Sequence, residues 1–472
     1  MRKTKIICTI GPASESEEML RKLFLAGMNV GRFNFSHGTH EQHRERIERF
    51  RKVRDEMGVP AAVMLDTKGP EIRVRDFENG EAVLQGGGSF TLTTEACLGN
   101  SQRAEVSFKR LPEDVSKGDT LLVDDGKIIL QVLDTTETEI HTKVIHGGVL
   151  RNHKGINVPS ADLSLPFLSD ADKSDLLFGI ENGVDYISAS FVRSREDVEA
   201  MRAFLHENGG DTIKILSKIE NTKGIRNFEE IMKASDGIMV ARGDMGVEVA
   251  YEQLPGIQKR FIRRCVEEGK IVITATQMLE SMITNPRPTR AEITDVANAV
   301  FDGTSAVMLS GESAAGEYPE EAVKAMAKIA EQAESDSSYV IPKYTEWHEM
   351  DRSDITNAVG HAACTLAEDL SATALVAVTQ SGFTASRTAK FRPKVPLIGA
   401  TPSAKTYHQL SLEWGVRPVL TEEQTSLLEL FRHLADVMIE EGAVKKGSLL
   451  VLTAGIPIGL SGDTNMIRVM RA

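Results

Sequence analysis

One alternation dominates the sequence: a short apolar segment followed by a helical stripe of apolar residues, repeated eight times. Apolar runs bounded by turn residues are typical of buried strands, and the 3.6-residue stripes between them predict amphipathic helices. Eight strand–helix units close naturally into a (β/α)8 barrel. The strands are predicted at residues 5–10, 28–35, 61–65, 184–191, 213–219, 237–242, 271–276 and 305–309. Capping-box patterns at Ser14/Glu17 and Thr289/Glu292 predict two helix starts, and Pro319 suits the first turn of the last barrel helix.

The alternation is interrupted once, after the third strand. From Glu71 to Pro166 the helical stripes disappear, and glycine-containing turns separate short β-rich runs. A polar segment, 335–354, follows the barrel and is predicted to be a linker to a second α/β unit. The predicted class is therefore α/β: a (β/α)8 TIM barrel in two parts, residues 1–70 and 167–340, with a small β-barrel domain inserted at 71–166 and a C-terminal α/β domain at 341–472.

Composition narrows the range of functions. A chain of 472 residues exceeds one ordinary core. Its net charge of -13 argues against general binding of nucleic acid or anionic membranes. The basic start is followed by an apolar run that stops at Gly11, which is too short for a signal or a membrane span. Four cysteines are scattered without a metal-site spacing, so we expect reduced thiols in a cytoplasmic protein without nucleic-acid or membrane partners.

Polar side chains gather where the predicted barrel strands end. In this fold the carboxyl ends of all eight strands meet at one face, which is where active sites lie. The clusters are Arg32/Asn34/Ser36, Asp66/Thr67, Ser190/Arg193, Lys218/Glu220, Arg242/Asp244, Thr274/Thr276 and Ser310/Glu312. A single lysine–glutamate pair would more often be a surface ion pair, but seven aligned clusters favour an active site.

The charges in these clusters suggest a reaction class. Glu220 and Asp244 end neighbouring strands, and two carboxylates with room for water suit Mg²⁺ or Mn²⁺. Arg32, Arg73 and Lys218 supply positive charge around that metal. Cations that surround a divalent metal suit phosphoryl transfer, which depends on positioning and charge neutralisation.

Three further patterns each leave two interpretations open. The turn at Gly243 offers free backbone N–H groups to a carboxylate or phosphate, or simply permits tight packing. An all-oxygen group suits a monovalent cation or ordinary hydrogen bonding, and its members are Asn34, Ser36, Asp66 and Thr67. A loop in the C-terminal domain resembles a phosphate cradle or an ordinary βα turn, and its small and hydroxyl residues are Thr379, Ser381, Gly382 and Thr384. The glycine-rich tail, 453–462, is expected to complete a ligand pocket with that loop.

Long stretches of the chain resemble pyruvate kinase, over essentially the whole length. The stretches are KIICTIGP at 5–12, NFSHG at 34–38, LDTKGPEIR at 65–73, SKIEN at 217–221, MVARGD at 239–244, ATQML at 275–279, NPRPTRAE at 285–292 and MLSGE at 308–312. The resemblance is to the bacterial, homotetrameric type without an extra C-terminal domain. It implies a mobile β-barrel lid after strand three, a regulatory C-terminal domain, and transfer of the phosphoryl group of phosphoenolpyruvate to ADP, giving ATP and pyruvate in glycolysis.

The resemblance also implies a role for each matching residue. Lys218 would stabilise the phosphoryl group in flight, Arg32 and Arg73 would contact phosphates, and Thr276 would lie near the proton-delivery route. Glu220 and Asp244 would hold Mg²⁺, the Gly243–Asp244 turn would receive the substrate carboxylate, and K⁺ would be held by Asn34, Ser36, Asp66 and Thr67. Glu71 stands at the position that accompanies K⁺ dependence, where independent members usually carry lysine.

Three residues depart from the family's pattern. Ala315 stands where a lysine is frequent, which puts one nucleotide-side contact in question. Phe383 and Asp463 replace a basic residue and a threonine near the expected effector pocket. These changes argue against activation by fructose 1,6-bisphosphate, and the tail resembles members regulated by AMP or sugar monophosphates. We therefore expect a phosphorylated allosteric effector of undetermined identity.

Two alternatives remain open from the residues alone. The first is a Mg²⁺-dependent barrel lyase or aldolase acting on enolpyruvate, which would need neither ADP nor a lid. The second is a catalytically inactive metabolite sensor whose working part is the C-terminal domain. Only Ala315 and the altered effector loop support the sensor.

Overall fold

The computed structural model describes residues 2–159, 161–336, 354–424, 426–457 and 463–472. Most of the predicted linker, and residues 458–462 of the predicted glycine-rich tail, lie outside this range. Within the described residues, no helix combines the length and the apolar character needed to cross a membrane.

The chain begins with the first part of the barrel. Strands β1 (Lys5–Thr9), β2 (Val30–Asn34) and β3 (Ala62–Asp66) alternate with helices α1 (Glu17–Ala26) and α2 (His40–Glu56). The predicted capping box at Ser14 and Glu17 is wrong. Ser16 caps α1 by accepting the N–H of Met19, whereas the Ser14 hydroxyl turns inward to the backbone of Gly11. The helix thus starts two residues later than a Ser14 cap would place it.

An all-β segment with one helical turn follows β3. Its elements are β4 (Ile72–Arg73), β5 (Glu81–Leu84), β6 (Ser89–Thr93), β7 (Arg103–Glu105), α3 (Leu111–Asp114), β8 (Thr120–Val123), β9 (Ile128–Thr135), β10 (Glu139–His146), β11 (Gly148–Arg151) and β12 (Gly155–Asn157). Seven of the strands form one sheet in the order β4-β12-β8-β9-β10-β6-β7, and β5 pairs with β11. The edge strands β4 and β7 meet through a bridge between Val74 and Val106, so the sheet curls back on itself. We refer to residues 71–166 as the inserted domain.

The second part of the barrel supplies five more strands. They are β13 (Tyr186–Ala189), β14 (Lys214–Ile219), β15 (Gly237–Ala241), β16 (Ile271–Ala275) and β17 (Ala306–Leu309). The helices are α4 (Asp170–Glu181), α5 (Arg195–Glu207), α6 (Thr222–Arg226), α7 (Phe228–Ala234), α8 (Arg242–Glu248), α9 (Leu254–Glu268), α10 (Arg290–Phe301), α11 (Gly311–Ala314) and α12 (Pro319–Ser335). All neighbouring barrel strands are parallel, and β1 pairs with both β2 and β17, which closes the barrel. The predicted interrupted (β/α)8 barrel is confirmed, as are the Thr289 capping box and Pro319 at a helix start.

The C-terminal domain is a five-stranded sheet with helices, in the strand order β20-β19-β18-β21-β22. The four predicted parallel strands are present, and a fifth strand, which the sequence did not predict, runs antiparallel at the edge. The elements are α13 (Ile355–Asp369), β18 (Ala374–Val378), α14 (Phe383–Ala389), β19 (Leu397–Thr401), α15 (Ala404–Gln409), β20 (Val416–Leu420), α16 (Leu427–Glu440), β21 (Leu449–Ala454) and β22 (Met466–Arg471). Because β22 is short of buried residues, it lacks the apolar run that marks the other four.

The C-terminal domain closes one end of the barrel. Leu412 is fully buried and packs into the apolar interior of the barrel together with Ile7 and Tyr186. The Tyr186 hydroxyl donates to the carbonyl of Gln409 at 2.7 Å, and the Lys5 ammonium donates to the carbonyl of Val416 at 2.7 Å. Lys5 and Tyr186 lie at the amino-terminal ends of their strands, so this floor lies opposite the face where the polar clusters gather.

Candidate active site

A buried ion cluster lies where β2, β3, β13 and β14 end. The Lys218 ammonium lies 3.3 Å from Asp66 Oδ1 and 2.9 Å from Glu220 Oε1. It also donates to the Ser190 hydroxyl at 2.8 Å. Arg32 donates to the other oxygen of Asp66 at 2.8 Å. Two cations therefore share the Asp66 carboxylate, and one of them reaches Glu220.

Burial and charge act in opposite directions on these groups. Burial alone would raise the pKa of Asp66, but Arg32 and Lys218 hold that pKa below its usual value. Burial alone would lower the pKa of Lys218, but Asp66 and Glu220 raise it above its usual value. Lys218 is thus held as an ammonium, the form that neutralises negative charge on a ligand.

The Glu220 carboxyl has a strongly shifted pKa, as is common for residues at ligand-binding sites. Burial raises the pKa of its carboxyl to about 7, and the charge of Asp244 adds to the effect while Lys218 opposes it. Oε2 accepts the backbone N–H of Phe191 at 2.6 Å. Oε1 is buried, and among the described residues its contact is the Lys218 ammonium, 2.9 Å away and poorly aligned for a hydrogen bond.

These observations fit a divalent cation that prefers oxygen. Glu220 offers a buried, under-coordinated oxygen, and Asp244 is a second carboxylate close enough to perturb it. In the described part of the chain, no three His, Cys, Asp or Glu side chains are grouped to hold a metal. Two carboxylates with several water or substrate oxygens match the coordination habits of Mg²⁺ and Mn²⁺.

The turn after β15 is tied to the end of β16. The N–H of Gly243 donates to the Thr276 hydroxyl at 2.7 Å, and that hydroxyl donates to the carbonyl of Ala275 at 2.6 Å. Thr276 has φ 69°, a left-handed conformation that is uncommon for a β-branched residue. The hydrogen bond from Gly243 holds the Thr276 side chain against the turn that carries Asp244.

A cleft of about 500 Å³ separates the inserted domain from the barrel. Asp244 lies on its barrel side, whereas Glu71 and Arg73 line its other wall. Arg73 is in ionic contact with Glu71 at 2.6 Å and donates to the carbonyl of His153 at 2.8 Å. The structure therefore places this predicted residue on the cleft wall and not in the ion cluster.

The predicted cation-binding oxygens come from two neighbouring strand ends. Asn34 and Asp66 are direct partners in the pairing of β2 with β3. The Asn34 side chain accepts the N–H of Ser36 at 3.1 Å, and the Thr67 hydroxyl accepts the N–H of Ser190 at 3.1 Å. The four residues lie at neighbouring strand ends. The Asp66 carboxylate, however, already pairs with Arg32 and Lys218.

Several strand-end residues have structural partners instead. Arg193 pairs with Asp197 at 3.2 Å, and Arg242 pairs with Asp295 at 2.8 Å. Thr274 bonds to Thr304, and Glu312 accepts the N–H groups of Leu279 and Ser310. Arg193, Arg242 and Glu312 stabilise loops at this face of the barrel, whereas Thr274 bonds to the segment that precedes β17.

Two contributors were not predicted. Thr9, at the end of β1, accepts from Arg32 at 2.9 Å and donates to the carbonyl of Leu309 at 2.9 Å. Phe191 adopts φ 55°, which directs its N–H at Glu220. The strand-end position would have identified Thr9, but no sequence signal marks a phenylalanine with positive φ.

The predicted effector loop joins β18 to α14. Gly382 has φ 88° and donates its N–H to the Thr379 hydroxyl at 3.0 Å. The Thr464 hydroxyl donates to Thr384 at 3.0 Å, which brings the segment after the predicted tail beside the loop. Ser381 is exposed, and so are Asp463 and Ala315. The Phe383 ring is covered by the guanidinium of Arg387, 5.3 Å from its centroid.

Comparison with known proteins follows the same division of the chain. Residues 1–323 match the pyruvate kinase barrel domain, and residues 357–470 match the pyruvate kinase alpha/beta domain. The pyruvate kinase of Clostridium acetobutylicum is 48% identical over 471 residues, which cover 99% of each chain. That of Staphylococcus haemolyticus is also 48% identical, over 99% of this chain and 80% of its own.

A solved structure agrees. The crystal structure of a pyruvate kinase from Cryptosporidium parvum superposes with a TM-score of 0.93 at 37% identity, covering 100% of this chain and 96% of that one. These matches support the main prediction and neither the lyase nor the sensor. The chain belongs to the pyruvate kinase family of phosphotransferases.

Proposed function

We propose that this chain transfers the phosphoryl group of phosphoenolpyruvate to ADP, giving ATP and pyruvate. The observation that carries the proposal is Lys218, a buried ammonium between Asp66 and Glu220 at the strand ends beside a large cleft. A fixed positive charge in a site that excludes water stabilises charge that develops on a phosphoryl group in transfer.

The two arginines, Arg32 and Arg73, would contact the substrate from different sides. Arg32 is held by Asp66 and Thr9, so its guanidinium is positioned before a ligand arrives. Arg73 lines the cleft from the inserted domain. Arg32 and Lys218 would contact the phosphate from the barrel, and Arg73 would contact it from the inserted domain. Positioning of the phosphate by both domains favours in-line transfer.

Glu220 and Asp244 would hold Mg²⁺ or Mn²⁺. When bound, the metal neutralises phosphate charge and orients the oxygens of both substrates. Asn34, Ser36, Asp66 and Thr67 would hold K⁺, which offsets further negative charge near the transferred group. Glu71 lies in the same cleft and favours dependence on that cation.

Phosphoryl transfer leaves the enolate of pyruvate, which needs a proton at carbon. Thr276 would lie on that delivery route, because its hydroxyl is fixed against the Gly243 turn that would receive the substrate carboxylate. In the described structure the Thr276 hydroxyl donates a hydrogen bond to the carbonyl of Ala275. The side chain is half-buried, so its hydroxyl can exchange its proton with water.

The proposal extends to regulation and assembly. The loop with Thr379, Ser381, Gly382 and Thr384 would bind a phosphorylated effector, supported by the contact of Thr384 with Thr464, just after the glycine-rich tail. The similarity to pyruvate kinases is the support for a cytoplasmic homotetramer. Sedimentation at micromolar concentration tests the assembly, and a monomer would contradict it.

The experiment is pyruvate formation from phosphoenolpyruvate with Mg²⁺, with and without ADP. Turnover that requires both supports the proposal. Turnover that is indifferent to ADP would favour a lyase or a phosphatase, and binding of effectors without turnover would favour a sensor.

A further inference from the structure

Helix α8 joins the proposed metal position to the inserted domain. Asp244 lies in its first turn and Glu248 is its last residue. Its start is anchored to the barrel, because Arg242 pairs with Asp295 and donates to the carbonyl of Thr276 at 2.7 Å. Asp244 and Glu248 therefore lie at opposite ends of one short helix whose start is fixed to the barrel.

The end of α8 is held by the inserted domain. Asn157 of β12 donates its side-chain amide to Glu248 Oε1 at 3.1 Å. The Thr222 hydroxyl, two residues after Glu220, donates to the main-chain carbonyl of Glu248 at 3.3 Å. Glu248 therefore contacts the inserted domain and the segment that follows the other proposed metal ligand.

The strand that carries Asn157 also borders Arg73. Gly155, two residues before Asn157, is the pairing partner of Arg73 in β4. A hydrogen bond between Asn157 and Glu248 thus links the strand beside Arg73 to the helix that carries Asp244. The side chains that line the cleft described above include all four of these residues: Arg73, Asn157, Asp244 and Glu248.

A second contact lies beside the first. The turn from Asp124 to Gly126 has positive φ throughout, and a Cβ built on Gly126 would lie 3.7 Å from Val247 Cγ1. The turn thus rests on α8 next to Glu248. The inserted domain touches this helix at two neighbouring places, so the contact fixes an orientation.

We propose that Glu248 and Asn157 form a latch that holds the inserted domain over the cleft and sets Arg73 against Asp244 for the reaction. Both are positioning residues, because they act through Asp244 and Arg73. The inference rests on the proposed function for its kinetic consequences, whereas the latch itself is a contact that can be measured without turnover.

The latch can be tested by exchanging the hydrogen-bond donor and acceptor between Asn157 and Glu248. E248A and N157A each remove the bond and should lower kcat/KM for ADP about tenfold, since a hydrogen bond to a charged group is worth at least one order of magnitude. N157D places two carboxylates face to face, so it should lower kcat/KM for ADP more than N157A does. The double variant N157D/E248Q restores a bond with its polarity reversed, and should recover most of the loss.

A matched control lies elsewhere on the inserted domain. Asn100 donates its side-chain amide to Glu78 at 3.3 Å, in an exposed pair outside the cleft. E78A removes the same kind of bond and should leave kcat/KM unchanged. If N157D/E248Q is no better than N157D, or if E248A matches E78A, the latch is contradicted.

The physical contact is measured by the distance between spin labels at Lys143 of the inserted domain and Lys173 of the barrel. N157D should broaden and lengthen this distribution, and N157D/E248Q should return it to that of the parent. An unchanged distribution in N157D would overturn the latch even if activity falls. If the parent protein forms no pyruvate, the proposed function fails, and the distances alone decide the latch.

Discussion

The Lys218 ammonium lies 2.9 Å from Glu220 Oε1, and both side chains are almost wholly removed from solvent. Each residue therefore depends on the other for charge compensation, since an unpaired charge at this depth is costly. Asp66 completes the arrangement by pairing with Lys218 and with Arg32.

Replacement of Lys218 by methionine should separate catalysis from metal binding. K218M removes the charge that would stabilise the transferred group, so kcat should fall by about 10³-fold or more. Glu220 and Asp244 remain, so Mn²⁺ should still bind, as followed by electron paramagnetic resonance. K173M, the same change at an exposed lysine of α4, should leave kcat unchanged. Near-parental turnover of K218M would refute the assigned role.

Glu71 should control the need for K⁺. E71K places an ammonium in the cleft wall beside Arg73, whose ionic contact with Glu71 is lost. Turnover without K⁺ should therefore rise toward turnover with it. The measurement is initial rate against K⁺ concentration, at constant ionic strength. E78K, at an exposed glutamate of the inserted domain, serves as the control. An unchanged K⁺ requirement in E71K would count against the interpretation of Glu71.

Lys5 should give the stability a distinctive pH dependence. Burial, aided by Arg2, lowers the pKa of Lys5 to about 7, against an ordinary value of 10.5. Between these values the unfolded chain binds more protons than the folded one, so the contribution of Lys5 to stability rises with pH.

K5M removes this titration. The difference in unfolding free energy between the parent and K5M should move in the parent's favour from pH 7 to pH 10, by at most about 1.4 kcal/mol per pH unit. Chemical denaturation across that range measures it, with K117M at an exposed lysine as control. A difference that is constant with pH would show that Lys5 stays charged.

Leu412 should couple the two domains at the barrel floor. It is fully buried among barrel side chains, so L412A should cost about 2–5 kcal/mol. L420A, at a leucine that is 44% exposed, should cost about 0.5 kcal/mol or less. Calorimetry should show a lower unfolding temperature for L412A alone. Equal temperatures for the two variants would contradict a packed floor.

The sequence was sufficient for the barrel because its signals are local and repeated. Each strand, such as 213–219, is an apolar run long enough to recognise, and parallel closure places Lys218, Glu220 and Asp66 at one face without knowledge of their contacts. The proximity of these side chains thus follows from strand position.

Other features depend on contacts between distant segments. The positive φ of Phe191 is imposed by its surroundings, and nothing in its local sequence requires it. Leu412 looks like any core leucine, although it packs into a barrel that ends about a hundred residues earlier. Ser14 matches the capping-box pattern, but its hydroxyl is used by the Gly11 turn, and Ser16 caps the helix. Each of these outcomes was decided by tertiary structure.

The most direct measurement follows the phosphorus atom. With Mg²⁺, K⁺, phosphoenolpyruvate and ADP, phosphorus nuclear magnetic resonance should show the phosphoenolpyruvate signal replaced by the γ-phosphate of ATP at equal rates, and K218M should show neither change on the same timescale. Release of inorganic phosphate instead of ATP, or a K218M spectrum that evolves like the parent's, would contradict transfer at the Lys218–Glu220–Asp244 site.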